Sequence, residues 1–344
     1  MNIAIVGANG QVGTELCFLL RQAGIAVIPI VRNRMGAAFL RHHRFHCRIA
    51  DIGDAHDAER ALSDADAVVL AAYLWPDMTL SGALNATMND RLVEHCVRFS
   101  KNDAVLFYFS SIRAFSRRID RSMPIFGLAP LYDKEKRHLE RLFHSFSQRH
   151  KKKSYAFRLG HVFGKHQELT KSVRSILMHN DVVRVPVDPA LPSNIVHAVT
   201  IAHAIVHCCE TSVRPGTYTL VNSPQWTWEE VLRHYNTLGT RVLFNPPPLQ
   251  KKRAHRFLRS AIPKAMKHYA RLRKYLPENV DQHLQYLYRK KKILEEIAAL
   301  EIEAMLRLSG FTYREAPGPF IQGLLETKQL LKTGDIPDAV FSES

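Results

Sequence analysis

The chain has 344 residues, of which 46% are hydrophobic, and this predicts one large globular domain with a smaller lobe or extension. Its 48 Lys and Arg residues outnumber its 32 Asp and Glu residues, for a formal net charge of +16 at pH 7. Five scattered cysteines without a C-x-x-C spacing disfavour a structural zinc site and a disulfide framework, and they indicate a reducing cytoplasm. The longest apolar run, 67–75, is too short to span a bilayer, and no charged leader precedes the first predicted strand. We therefore expect neither classical export nor a transmembrane segment.

The first predicted elements are a strand, a glycine-rich turn and a helix. An apolar run at 3–6 leads into the turn Gly7-Ala8-Asn9-Gly10-Gln11-Val12-Gly13, after which leucines recur at helical spacing. Glycines in such a turn permit positive φ and let the backbone approach a pyrophosphate, whose charge is favourable at a helix N-terminus. The order of these elements predicts a dinucleotide-binding site, and a glycine-rich turn without a ligand is the alternative.

The second predicted strand, 26–31, bears on which dinucleotide would bind. It ends in Val31-Arg32-Asn33-Arg34. Sites that prefer NAD usually place an acidic residue here for the ribose 2′-hydroxyl, whereas a 2′-phosphate requires arginine. Because no acidic residue is present, we expect NADP, with NAD the second choice; Arg32 is the better candidate for the phosphate and Arg34 the second. The alternative is that both arginines are solvated loop charges.

Further along the chain, apolar runs alternate with amphipathic stretches. Buried parallel strands are predicted at 67–72, 104–109 and 155–159, and helices at 84–99 and 131–146. This alternation is typical of an α/β fold with a Rossmann-type doubly wound parallel sheet. Right-handed connections then place the cofactor across the carboxyl ends of the strands.

Two short motifs predict proton and hydride transfer. Ser110 and Ser111 end a predicted strand, and Tyr132 precedes Lys136 by four residues on a predicted helix. Residues four apart share one helix face, so the Lys136 ammonium is expected beneath the Tyr132 phenol and within reach of a cofactor ribose. Such a charge favours the phenolate of a tyrosine, which otherwise titrates near pH ~10. Ser111 would hydrogen-bond the reacting oxygen, with Ser110 as the alternative hydroxyl. An ordinary surface helix is the other interpretation.

Over roughly its first two thirds, the chain resembles the extended branch of the short-chain dehydrogenase/reductase superfamily, which includes sugar-nucleotide epimerases, dehydratases and reductases. The resemblance lies in the glycine turn, Asp51-Ile52, Ala71-Ala72, Asn85, Phe109-Ser110-Ser111, Tyr132 with Lys136 and Glu140, the 158–164 segment and Val196-His197. It implies that Ser111, Tyr132 and Lys136 are catalytic. It also implies a cofactor site in which Asp51 and Ile52 flank the adenine. Lys136 belongs to the same site, as do Ala71, Ala72 and Tyr73 after the fourth strand.

Two departures from the family pattern narrow the expected reaction. Ile112-Arg113 stands where sugar 4,6-dehydratases carry an acidic pair, which disfavours elimination of water and leaves epimerisation through a transient ketone or carbonyl reduction. His161 stands where relatives often carry an asparagine that contacts the substrate diphosphate. It is either a contact for an anionic substrate or a core histidine satisfied by the backbone.

We predict a dinucleotide-binding domain over 1–164, a substrate-binding lobe over 165–245 interleaved with the end of the sheet, a basic helical extension over 246–331 and a flexible tail over 332–344. Within the extension, the 250–292 segment has fourteen basic residues against two acidic ones. Its helical apolar spacing indicates a lobe packed on the sheet or, through 250–276, contact with an anionic membrane surface. Nucleic acid is the less favoured partner because no recognised binding motif accompanies the charge.

Two classes of function remain after the sequence is considered. The first is an NADP- or NAD-dependent oxidoreductase or epimerase that acts on a sugar nucleotide, a lipid-linked sugar or a related carbonyl compound. The second is a non-catalytic dinucleotide sensor, or a protein that binds nucleic acid or membranes through the basic extension. The expected location is the cytoplasm, with the membrane periphery as an option. The sequence leaves open whether the chain forms a homodimer through the sheet-flanking helices. No metal is expected.

Overall fold

The computed structural model describes residues 1–75, 80–115, 129–185, 188–244 and 316–321. The strands in these ranges are β1 (Asn2–Val6), β2 (Ala26–Val31), β3 (Arg48–Ile49), β4 (Ala67–Leu70), β5 (Val105–Ser111), β6 (Ser154–Leu159), β7 (His161–Phe163), β8 (Val182–Val185), β9 (Ile195–His197), β10 (Gly216–Leu220) and β11 (Arg241–Phe244). The helices are α1 (Gln11–Gln22), α2 (Ala38–His42), α3 (Ala55–Leu62), α4 (Leu80–Phe99), α5 (Ala129–Arg149), α6 (Glu168–His179), α7 (Ala198–Glu210) and α8 (Trp228–Tyr235), with a 3₁₀ turn at Ile112–Phe115.

Seven of these strands form one parallel sheet in the order β3-β2-β1-β4-β5-β6-β10. The order reverses between β1 and β4, and in doubly wound sheets this point opens a crevice at the carboxyl ends of the strands. The Rossmann-type fold predicted from the alternating pattern is therefore confirmed. Two short parallel pairs, β7 with β9 and β8 with β11, lie outside the main sheet.

The main sheet is buried on both faces, which explains why its strands read as continuous apolar runs. Successive side chains of β1 point to opposite faces: Ile3 and Ile5 pack in one core cluster, and Ala4 and Val6 in the other. The first cluster also contains residues of α1 and α7, and the second contains residues of α3, α4 and α5. The helices thus form one layer on each side of the sheet.

A separate cluster of buried side chains brings together α6, β8 and α8 around Phe163 and Trp228. Strand β10 and helix α8 follow one another in the chain but divide between the two parts of the fold. The strand β10 pairs with β6 at the edge of the main sheet, whereas α8 packs in this separate cluster. Helix α8 begins in a capping box formed by Thr227 and Glu230. The division of the chain into domains stays a prediction.

Two predicted segments lie outside the described residues: the basic helix at 250–276 and the tail at 332–344. Within the described ranges, no helix has both the length and the apolarity needed to cross a bilayer.

Candidate active site

The glycine turn between β1 and α1 has the close backbone packing that glycines allow. Gly7 has a φ of +82°, and a Cβ built on it would lie 2.7 Å from the backbone of Ala72. A Cβ on Gly13 would lie 2.3 Å from the carbonyl oxygen of Gly7. Strand, turn and helix therefore approach one another at distances that a side chain would prevent. The positive φ of Gly7 is the conformation that the glycine turn predicts.

Beside this turn lies a cavity of about 360 Å³, which we call the glycine-turn cleft. It runs across the carboxyl ends of β1, β2, β3 and β4. Nine of the predicted cofactor residues line it: Gly7, Asn9, Gly10, Arg32, Asp51, Ile52, Ala71, Ala72 and Tyr73. The turn geometry and this set of backbone and polar groups fit a dinucleotide that extends along the sheet edge.

The other five predicted cofactor residues lie around the cleft rather than on its wall. Gln11 starts α1, and its side-chain oxygen accepts a hydrogen bond from the Glu168 backbone N–H at 3.3 Å. Val12 packs against the first core cluster and Gly13 is buried. Arg34 is exposed in the loop after β2. Lys136 is buried on α5.

Sequence reasoning missed several lining residues of the cleft: Asn33, Ala50, Leu74, Trp75, Met88 and Leu92. A signal was available for the two in α4. The family resemblance includes Asn85, and residues three and seven positions later on the same helix face are Met88 and Leu92. The loop residues Leu74 and Trp75 carry no comparable periodic pattern.

Next to the cleft, Ser111 and Tyr132 are brought into direct contact. The two residues, together with Arg113, Asp133 and Lys136, form what we call the Tyr132 corner. The Ser111 side chain lies near enough to that of Tyr132 for hydrogen bonding to lower the pKa of the tyrosine. Burial raises the pKa of Tyr132 to about 12, while the Ser111 hydrogen bond and the charge of Arg113 act to lower it. The tyrosine hydroxyl and the serine hydroxyl can therefore share one substrate oxygen.

Lys136 lies one helical turn after Tyr132 on α5, but its ammonium is nearer to the Tyr73 ring than to the Tyr132 ring, beneath which the sequence predicts it. Its ammonium donates to the carbonyl oxygen of Phe109 at 2.9 Å and lies 3.9 Å from the ring centre of Tyr73. It is 5.7 Å from the ring centre of Tyr132. Burial lowers the pKa of Lys136 to about 7, against the opposing effect of Glu135 and Glu140. Arg113 is a positive charge that acts to lower the pKa of Tyr132, a role that the sequence pattern does not reveal.

Arg113 is fixed by the residue that follows Tyr132. Its guanidinium donates to Asp133 at 2.7 Å through Nε and at 3.3 Å through an Nη atom. Its backbone N–H donates to the Ser111 hydroxyl at 3.3 Å. The Asp133 side chain is 2% exposed, so this is a largely buried ion pair. Such pairs cost desolvation energy and are weak evidence for stability. The charge of Arg113 does act on a neighbouring group, the Tyr132 hydroxyl.

His161 is also influenced by Arg113. Burial, with the charge of Arg113, lowers the pKa of His161 to about 4, so its imidazole is neutral at neutral pH. Its ring lies 6.0 Å from that of Trp228 in α8. The side chain therefore stands between the Tyr132 corner and the separate cluster around α8. Its assignment to substrate binding stays a prediction.

Ser110 lies in a different environment from Ser111 because adjacent strand residues point to opposite faces. It is 4% exposed and donates to a Glu140 carboxylate oxygen at 2.5 Å. The same carboxylate accepts two hydrogen bonds from Arg158, at 2.8 and 2.6 Å. The structure thus places Ser110 in a buried ionic network, and its predicted role in substrate binding is untested.

Comparison with protein-family models identifies the NAD dependent epimerase/dehydratase family over residues 3–184, more than half of the chain. No curated protein sequence matches.

Among solved structures, UDP-N-acetylglucosamine 4-epimerase from Bacillus cereus is similar with a TM-score of 0.55 and 18% identity, covering 72% of this chain and 85% of the other. UDP-glucose 4-epimerase from Thermotoga maritima, solved with UDP-glucose, has a TM-score of 0.54 and 16% identity, covering 72% and 87%. UDP-glucuronic acid 4-epimerase from Bacillus cereus, solved with UDP-glucuronic acid and NAD, has a TM-score of 0.53 and 17% identity, covering 72% and 86%. At these identities the structural similarity confirms the fold alone. The family match goes further: this chain is an enzyme of the NAD dependent epimerase/dehydratase family, as the resemblance had implied.

Proposed function

We propose that this enzyme transfers hydride at a carbon that bears a hydroxyl or carbonyl group, in a sugar nucleotide, a lipid-linked sugar or a related carbonyl compound. The reaction is epimerisation through a transient ketone or simple carbonyl reduction, and Ser111, Tyr132 and Lys136 perform the proton chemistry. The observation that carries the proposal is the closeness of the Ser111 and Tyr132 side chains, within reach of hydrogen bonding, beside the glycine-turn cleft, with Lys136 one helical turn away.

The protein's residues move a proton and orient the substrate. In the oxidative direction the Tyr132 phenolate accepts the substrate hydroxyl proton, while Ser111 donates a hydrogen bond to the same oxygen. A dinucleotide held in the glycine-turn cleft would supply the acceptor and donor of the hydride at that carbon, so the protein's own residues move only the proton. Tyr132 then gives its proton back to the oxygen, so that protons and electrons balance. Arg113 stabilises the phenolate electrostatically, and Lys136 would add to this effect when it is protonated.

Substitution of the two hydroxyls tests this proposal. Tyr132→Phe keeps the aromatic ring and removes the proton carrier, and we expect turnover to fall by about 10²–10⁴-fold with dinucleotide affinity retained. UDP-glucose, UDP-N-acetylglucosamine and UDP-glucuronic acid are the first substrates to assay, because similar folds were solved for enzymes of these compounds. Ser111→Ala should also lose most activity. Ser110→Ala is the matched control, and greater loss of activity there would transfer the role to the buried serine.

For the cofactor, we propose NADP over NAD. Arg32 lines the glycine-turn cleft at the end of β2, and this strand end has no acidic residue to repel a 2′-phosphate. The UDP-glucuronic acid 4-epimerase from Bacillus cereus was solved with NAD, so a direct comparison of the two dinucleotides is required. Titration with NADPH and NADH, followed by thermal stabilisation, decides between them. Arg32→Ala should weaken NADPH binding at least fivefold, while Arg34→Ala should have little effect. Equal affinity for both dinucleotides in the unsubstituted protein would contradict the NADP assignment.

The family match favours an enzyme over a non-catalytic sensor. Contact with an anionic membrane through 250–276, a cytoplasmic location and a homodimer stay predictions.

A further inference from the structure

Trp75 differs from the other two tryptophans of the chain in being exposed. Its side chain is 61% exposed, whereas Trp226 and Trp228 are 4% and 1% exposed in the separate cluster around α8. Trp75 lies past the end of β4 and lines the glycine-turn cleft with residues such as Gly7 and Arg32. A large aromatic ring that lines a cleft and remains open to solvent is typical of a ligand contact.

The backbone that carries Trp75 is held by two asparagines of α4. Asn89 accepts from the Leu74 N–H at 2.9 Å and donates to the Leu74 carbonyl at 2.8 Å. Asn85 donates to the Trp75 carbonyl at 2.9 Å. Asn89 is 2% exposed and also donates to Glu135 at 2.7 Å. The indole is therefore presented from a fixed backbone segment tied to α5.

The position of the indole connects the cleft with the Tyr132 corner. Its ring stacks on that of Tyr132, with centroids 4.8 Å apart and planes inclined by 19°. It meets Tyr73 edge-to-face at 5.7 Å and 76°. One face of the indole thus packs against the tyrosine that handles the proton. In a dinucleotide laid along the cleft, the end nearest Tyr132 is the nicotinamide, where hydride transfer takes place.

We propose that Trp75 is a binding residue for the nicotinamide ring and that it favours the oxidised over the reduced form of the cofactor. The oxidised nicotinamide is a pyridinium cation, and the face of tryptophan is the best aromatic surface for a cation. The reduced ring is neutral and gains only the stacking contact. This inference rests on the proposed dinucleotide site, and it adds a preference between redox states that the family match does not provide.

The test compares three ligands on one substitution, Trp75→Leu. The ligands are NADP⁺, NADPH and 2′-phospho-ADP-ribose, which has the adenine half without the nicotinamide, and calorimetry gives each Kd. We expect Trp75→Leu to weaken NADP⁺ about tenfold and NADPH about threefold, and to leave 2′-phospho-ADP-ribose unchanged. NADP⁺, but not 2′-phospho-ADP-ribose, should also quench the Trp75 contribution to protein fluorescence. If NAD proves to be the cofactor, NAD⁺, NADH and ADP-ribose replace these ligands.

Trp75→Phe is the second variant, since it keeps a smaller ring and should give intermediate losses in the same order. Equal weakening of all three ligands, or no change in any, would overturn the role of Trp75 while leaving the dinucleotide site intact. Failure of the unsubstituted protein to bind any dinucleotide would instead overturn the proposed function, and this inference with it.

Discussion

The glycine-turn cleft and the Tyr132 corner lie at the same edge of the sheet, yet they are built from different interactions. The cleft depends on close backbone approach at Gly7 and Gly13. Among the described residues that line it, two carry charged side chains, Arg32 and Asp51. The corner depends on buried charge: an Arg113–Asp133 pair, the Lys136 ammonium and, behind them, the pair of Glu140 with Arg158. Shape is therefore the constraint in one region, and matched charge is the constraint in the other.

The largest effect is expected from a variant that leaves a buried charge without its partner. Glu140→Met removes the partner of Arg158 and one of the hydrogen bonds of Ser110, because the same carboxylate holds both. The Glu140 and Arg158 side chains are 7% and 19% exposed, so the guanidinium would lose its counter-ion in a mostly buried position. We expect the free energy of unfolding to fall by about 3 kcal/mol, measured by urea denaturation.

Two controls show whether burial of the charge causes that loss. Arg48 pairs with Asp64 at 2.6 Å, but the two side chains are 31% and 60% exposed. Arg48→Ala should therefore cost less than about 1 kcal/mol. The double variant Glu140→Met with Arg158→Leu removes both charges and should recover much of the lost stability. A double variant that is no more stable than Glu140→Met alone would mean that packing, not charge, holds this region.

In the cleft, the corresponding test changes shape without changing charge. Gly7→Ala places a Cβ 2.7 Å from the Ala72 backbone and forces an alanine to a φ of +82°. We expect the free energy of unfolding to fall by about 2–3 kcal/mol. We also expect dinucleotide binding to become undetectable. Gly24→Ala is the matched control: its φ is +75°, but nothing lies within 4 Å of the added Cβ. It should cost only about 1 kcal/mol, for the backbone strain, and leave binding unchanged. Equal losses in the two variants would show that the contact with Ala72 has no effect.

The difference between the regions also explains what the sequence could predict. The cleft follows from local order, since a strand, three spaced glycines and a helix determine where the backbone lies, and most of the predicted cofactor residues line it. The corner follows from contacts between residues distant in the chain. The spacing of Tyr132 and Lys136 predicted that both lie on one helix face. It did not predict that Arg113 would pair with Asp133 and act on the tyrosine. Nor does spacing reveal that Trp75 stacks on Tyr132 across more than fifty residues of chain.

The buried Lys136 is expected to make the free energy of unfolding depend on pH. Burial lowers the pKa of Lys136 to about 7 in the folded chain, from 10.5 for a free lysine. Between these values the unfolded chain binds a proton that the folded chain does not, so wild-type stability rises with pH, by up to about 1.4 kcal/mol per unit. Below pH 7 the folded chain carries the full cost of the buried ammonium. Lys136→Met lacks this dependence.

The stability advantage of Lys136→Met over wild type should therefore be greatest near pH ~6 and should shrink steadily towards pH ~9, as measured by urea denaturation at several pH values. Lys134→Met, at an exposed position of the same helix, is the control, and it should change stability by less than about 0.5 kcal/mol at each pH. A difference between Lys136→Met and wild type that is constant across this range would show that Lys136 keeps its proton in the folded chain. In that case the Tyr132 corner would tolerate two full positive charges, Arg113 and Lys136, and both would act on the tyrosine before any ligand binds.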